Sequence, residues 1–119
     1  MMTKFKRLAL AAAFATAVAT SALAHSSKET TSPADGSTVA QPPDAIVMTF
    51  DAPMRVTLIQ VTGEDGTNYP VTRTDNMAPS KTFQAVPAAL PDGSYIVNWR
   101  GLAEDGHAMD GSFTFSVGN

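Results

Sequence analysis

The sequence contains no cysteine. That absence excludes disulfide stapling, and it also excludes every thiolate metal site, including the His2Cys arrangement of blue-copper proteins. Histidine is scarce: the two present are His25 and His107. No apolar run is long enough to span a bilayer. The longest, Leu8 to Ala19, is interrupted only by Thr16 and falls short of the roughly 20 residues a spanning helix needs. No segment carries a helical hydrophobic period of useful length, and no internal repeat is present.

The amino terminus reads as an export signal. Lys4, Lys6 and Arg7 form a charged leader to the apolar run, and Ala22-Leu23-Ala24 supplies a small-x-small cleavage site. Ala17-Val18-Ala19 is a second such site, whose use would leave Thr20 first. The later site ends the apolar segment and precedes the polar run Ser26-Ser27-Lys28-Glu29, so residues 1–24 are expected to be a signal peptide and 25–119 one small domain. That domain holds five basic and eleven acidic residues, a net charge near −6. Such a surface disfavours nucleic acid and anionic lipid and attracts cations. A periplasmic location without stable membrane insertion is the expectation.

Cleavage before His25 gives that residue a special chemistry. A terminal histidine offers a metal both its free α-amine and imidazole Nδ1, which close a chelate ring that an internal histidine cannot make. The only other histidine lies in Asp105-Gly106-His107. If that stretch is extended, the two side chains flanking the glycine point the same way. Asp-Gly is also a common turn pair, and a lone histidine beside it is ordinarily a surface residue. Taken with His25, however, the pair completes a set of three nitrogens and one oxygen, suited to tetragonal Cu(II) and usable tetrahedrally by Zn(II). The terminal amine binds metal only after losing its proton, so affinity should fall with pH.

The rest of the chain predicts an all-β domain. Runs rich in β-branched and aromatic residues recur at Ile46–Phe50, Val56–Val61, Thr67–Val71, Thr82–Val86, Ser94–Arg100 and Ser112–Val117. Between them stand Pro33-Ala34-Asp35-Gly36, Pro42-Pro43-Asp44, Gly63-Glu64-Asp65-Gly66, Pro91-Asp92-Gly93 and Glu104-Asp105-Gly106, all with turn chemistry. Six or seven short strands at this spacing imply a small antiparallel β-sandwich or barrel. Alternation makes Ile46, Met48 and Phe50 point one way, as do Tyr95, Val97 and Trp99 or their alternates, and lets Phe113, Phe115 and Val117 share a face; all read as core residues.

Several segments carry a family resemblance. His25 followed by Ser32-Pro33-Ala34-Asp35-Gly36-Ser37, then Pro42 and Phe50, then Gly93-x-Tyr95-x-Val97-x-Trp99-Arg100, and above all the closing run from Asp105 to Val117 resemble the CopC family of periplasmic copper-binding proteins. The resemblance implies a cupredoxin-like or immunoglobulin-like Greek-key sandwich. It also implies Cu(II) held by His25 with its amine, Asp105 and His107, in a monomer that binds copper without catalysis. Implied partners are an inner-membrane copper transporter of the CopD type or another periplasmic copper protein. Two departures stand out. Met48, Met54, Met77 and Met109 are dispersed, unlike the methionine-rich loop that holds Cu(I) in some members. Ala103 stands where the family usually has a small hydroxylated residue, two places before the aspartate. Two rival classes remain at this stage: a small copper oxygenase built on a terminal-histidine brace, and a metal-free β-sandwich interaction module.

Overall fold

The computed structural model describes residues 29–118, and all regular structure in them is β. The strands are β1 (Glu29–Ser32), β2 (Ser37–Val39), β3 (Ile46–Gly63), β4 (Asn68–Tyr69), β5 (Val71–Thr72), β6 (Ser80–Pro87), β7 (Gly93–Ala103) and β8 (Ala108–Val117). They follow the order β2-β8-β7-β3-β6-β5, with β1 and β4 also paired to β3. All pairs are antiparallel except β2 with β8, which run parallel.

The organising element is β3. Its first half, from Ile46 to Thr49, pairs with β6, and Val47 to Phe50 pair with β1 on the other edge. Its second half, from Met54 to Gly63, pairs with β7. Between them Asp51-Ala52-Pro53 shifts the register against β6. Pro53 has no N–H to give a ladder, which suits it to such an irregular point. One strand thus serves two sheet walls, and two runs separated in the sequence reading become one curled element of 18 residues.

A bulge follows the bend. Val56 pairs with Gly101 and Leu58 with Arg100, so Thr57 is the extra residue. Thr57 and Leu58 are consequently both exposed, and the buried set resumes with Val61. Beside the bulge, the Val56 carbonyl accepts a hydrogen bond from the Arg73 guanidinium at 2.5 Å. Asp75 holds the same guanidinium with a pair of bonds at 2.7 and 2.8 Å, and its carbon lies 4.8 Å from the Phe83 ring centre. Proline has a similar influence at Pro70, which divides the expected Thr67–Val71 strand into β4 and β5.

The predicted inward residues do line the core. Ile46, Met48, Phe50, Tyr95, Val97, Trp99, Phe113, Phe115 and Val117 are all buried, joined by Met54, Val56, Val61, Phe83, Ala85 and Leu90. Trp99 is the largest fully buried side chain, and Phe50 meets it edge-on at 5.2 Å. Directly across from Trp99, Gly111 leaves the indole room, since a Cβ there would stand 2.8 Å from Nε1.

Sequence reading missed β1 and β2, which lie in polar Ser/Thr-rich stretches. Their place is set by neighbours rather than by hydrophobic alternation. The intervening Pro33-Ala34-Asp35-Gly36 turn is clasped to β8: the Thr114 N–H donates to Asp35 Oδ1 at 3.0 Å, and the Gly36 N–H donates to the Thr114 carbonyl at 2.7 Å. This motif, which carries part of the family resemblance, therefore fastens the turn between β1 and β2 to the last strand.

Candidate metal centre

The β7–β8 hairpin closes through residues 104–107, and this loop presents Asp105 and His107. Gly106 takes a left-handed φ of +89°, a conformation glycine adopts without a Cβ penalty. Two backbone bonds close the loop, from Gly106 N–H to the Ala103 carbonyl at 2.8 Å and from Ala103 N–H to the His107 carbonyl at 2.9 Å. Ala103 therefore steadies the loop with its main chain, without a side-chain hydroxyl.

Asp105 and His107 come together, but not as the sequence reading pictured. The segment is a turn and not an extended strand. Asp105 Oδ1 accepts the His107 backbone N–H at 3.0 Å, and Oδ2 stands 2.8 Å from His107 Nδ1. Those bonds, the backbone one first and the side-chain one next, hold the Asp105 carboxyl below its usual range. The 2.8 Å contact is a hydrogen bond, so a metal held by both atoms would have to replace it. Both groups are open to solvent, at 79% exposure for His107 and 63% for Asp105.

The hairpin loop forms one wall of an open groove of about 660 Å³. The other wall is the bend of β3, with Asp51, Pro53 and Met54. Met109 and Asp110 continue the first wall along β8. One group here was not singled out from sequence, and two others were noted only as dispersed methionines. Asp51 adds a carboxylate to the groove; its only sequence signal was its place beside Ala52-Pro53 at the end of a strand run. Met54 and Met109, dispersed in sequence, line the same groove. Met77 stands apart, 45% exposed in the β5–β6 loop, and Met48 is fully buried.

Among the described residues, no group of three or more His, Cys, Asp or Glu is arranged to hold a metal ion. Two exposed donors alone make a weak site, and a metal held here would need further ligands. His25, the expected source, lies outside the described residues, as does the expected cleavage site. What the structure does describe is Glu29, at the start of β1 and paired with Phe50, immediately before the β3 bend that lines the groove.

The fold and sequence have known counterparts. Residues 28–118 match the CopC domain family. Copper resistance protein C of Escherichia coli is 32% identical over 110 residues, covering 84% of this chain and 86% of that protein. CopC from Methylosinus trichosporium OB3b shares the fold, with a TM-score of 0.66 and 23% identity over 77% of this chain and 93% of that one. PcoC, a methionine-rich copper resistance protein from Escherichia coli, has a TM-score of 0.59 and 26% identity, covering 74% of this chain and 93% of that one. The all-β curled sheet, the hairpin loop that pairs Asp105 with His107, and the match across residues 28–118 lead to one conclusion: this chain belongs to the CopC family.

Proposed function

We propose that this protein is a periplasmic Cu(II) carrier or buffer, exported by a signal peptide cleaved before His25. The ion is held by the α-amine and imidazole Nδ1 of His25 together with Asp105 and His107. Like its family it is a binding protein and not an enzyme; copper is its cargo. The observation that carries the reading is the 2.8 Å approach of Asp105 Oδ2 to His107 Nδ1 on an exposed loop. An exposed carboxylate and imidazole held side by side on one loop can exchange their mutual hydrogen bond for a shared metal ion.

Register supports the terminal ligand: Glu29 stands opposite Phe50, one position from the Asp51 bend that lines the groove. Three residues separate His25 from Glu29, so His25 can reach up to about 13 Å from Glu29 over four extended steps. The negative charge of Asp51, Asp105 and Asp110 along the groove favours a dication. Three nitrogens and one oxygen favour Cu(II) over Zn(II) where both are available.

Transfer proceeds by ligand exchange. The amine sits on a chain end, so it detaches before the hairpin donors and opens a coordination position to an incoming ligand from the acceptor. The acceptor is an inner-membrane copper transporter of the CopD type or another periplasmic copper protein, and the carrier meets it as a monomer.

Electron paramagnetic resonance of the Cu(II)-loaded processed chain tests the ligand set. Adding one residue before His25 should change the spectrum, because the amine is then an amide. An identical spectrum would rule the amine out.

A further inference from the structure

Glu29 spends its carboxylate in an unusual place. It accepts a hydrogen bond from the indole Nε1 of Trp99 at 3.3 Å, across 70 positions of sequence. Trp99 is 1% exposed and is the chain's one tryptophan. A buried indole N–H needs an acceptor, and Gly111 keeps the space beside that nitrogen free of any side chain. On the opposite strand, Glu29 pairs with Phe50, whose ring meets the same indole edge-on. Four elements thus converge on one carboxylate: β1 carries it, β3 pairs with it, β7 donates to it and β8 leaves room. Holding it there has a cost. Burial pushes the Glu29 carboxyl above its usual range, the Trp99 bond opposes that rise, and Asp35 adds to it.

A neutral acceptor would satisfy the indole at a smaller desolvation cost, and a threonine would suit a short strand better. The position of the bond suggests what is gained. Glu29 begins β1, a strand of four residues that pairs only with β3. It is the first of the described residues, and His25 lies four positions before it in sequence.

We infer that Glu29 is a positioning residue, which pins the start of β1 to the sheet and leaves only three residues between that anchor and His25. The inference rests on the ligand set proposed above. A short tether holds the amine and imidazole of His25 at high effective concentration beside the groove. Without the pin, the tether lengthens back through β1 and more chain must be ordered each time the metal binds.

The test is a mutant cycle on the processed chain, reading the Cu(II) dissociation constant by competition with a chelator of known affinity. Glu29→Ala should raise the constant about tenfold through lost effective concentration. Glu29→Gln should stay within about twofold, because its amide oxygen still accepts from the indole. The indole N–H resonance of Trp99, single in this chain, should move in Glu29→Ala and hold its place in Glu29→Gln. In a His25→Ala background, Glu29→Ala should have a much smaller further effect on Cu(II) binding, since the α-amine that remains has no imidazole with which to close a chelate ring.

An equal loss in both backgrounds would mark a general structural role and overturn the inference, as would a Glu29→Gln variant that binds as weakly as Glu29→Ala. If His25→Ala leaves Cu(II) affinity unchanged, the proposed ligand set itself fails. If His25→Ala weakens binding while Glu29→Ala does not, the pin alone fails.

Discussion

The two ends of the β7–β8 hairpin are built to opposite rules. At the end where β7 begins and β8 finishes, Tyr95 stacks on Phe115 at 5.5 Å and meets Tyr69 edge-on at the same distance. Its hydroxyl donates to the Pro91 carbonyl, and burial, with smaller contributions from Tyr69, Asp92 and Asp65, keeps that hydroxyl above its usual range and therefore protonated. Nearby, the Ser94 and Ser116 hydroxyls bond to each other at 2.9 Å. At the other end, Asp105 and His107 bond mainly to each other and face water. The first end converts polar groups into packing. The second leaves donors available, which is what ligand exchange requires and what a stable core avoids.

Mutations should separate the two ends, and the largest effect belongs to the core between them. Trp99→Ala should cost about 3–5 kcal/mol of unfolding free energy, because it empties the largest buried site; urea unfolding monitored by circular dichroism would measure it. A loss under about 1 kcal/mol would mean the two walls close without the indole. Next comes His107→Ala, expected to weaken Cu(II) binding by about 100-fold or more, since losing a ligand costs at least as much as losing the hydrogen-bond partner of one. Its metal-free melting temperature should stay put, because the ring is 79% exposed. A stability loss comparable to its binding loss would erase the distinction between the ends.

Tyr95→Phe is the mirror experiment. It removes the hydroxyl that donates to Pro91, at about 1 kcal/mol of stability, and should leave the Cu(II) constant unaltered. A shift in copper affinity from that far end would couple regions that share only the hairpin. The smallest effect is expected at Asp75, whose carboxyl is held below its usual range chiefly by the Arg73 hydrogen bonds. Its folded value lies below the unfolded one, so its contribution is present above the ordinary carboxylate range and lost as pH falls through the folded value. Asp75→Asn should therefore lower the melting temperature slightly at pH 7, and that difference should vanish in acid. A gap that grows on acidification would contradict this sign.

Legibility differed from place to place for physical reasons. Core faces such as Tyr95-x-Val97-x-Trp99 were readable because period-two alternation is local and each strand buries one side. The union of Ile46–Phe50 with Val56–Val61 was not, because a proline and an aspartate between two runs signal a break as readily as a bend. β1 was hidden for a different reason: Glu29-Thr30-Thr31-Ser32 has no apolar side and pairs because β3 offers it an edge. Asp105 and His107 were found by residue type and by resemblance, yet the extended geometry imagined for them was replaced by a turn, in which Gly106 takes the left-handed conformation. Asp51, Met54 and Met109 drew no attention as groove residues, since nothing in their spacing joins them to position 105.

By itself, the sequence determined the chemistry on offer: no thiolate, two histidines, an acidic surface, and alternating strands able to build one small β core. It also fixed the local pairing of Asp105 with His107, since a turn glycine between two donors acts over three residues. Only the tertiary structure decided which distant groups share a groove and which end of the hairpin is open. Bending β3 at Asp51-Ala52-Pro53 brings that segment opposite the 104–107 loop. The Glu29–Trp99 bond, likewise, exists only once β1 and β7 lie against the same β3. Such contacts depend on the register and curvature of a whole sheet, which no short stretch of sequence encodes.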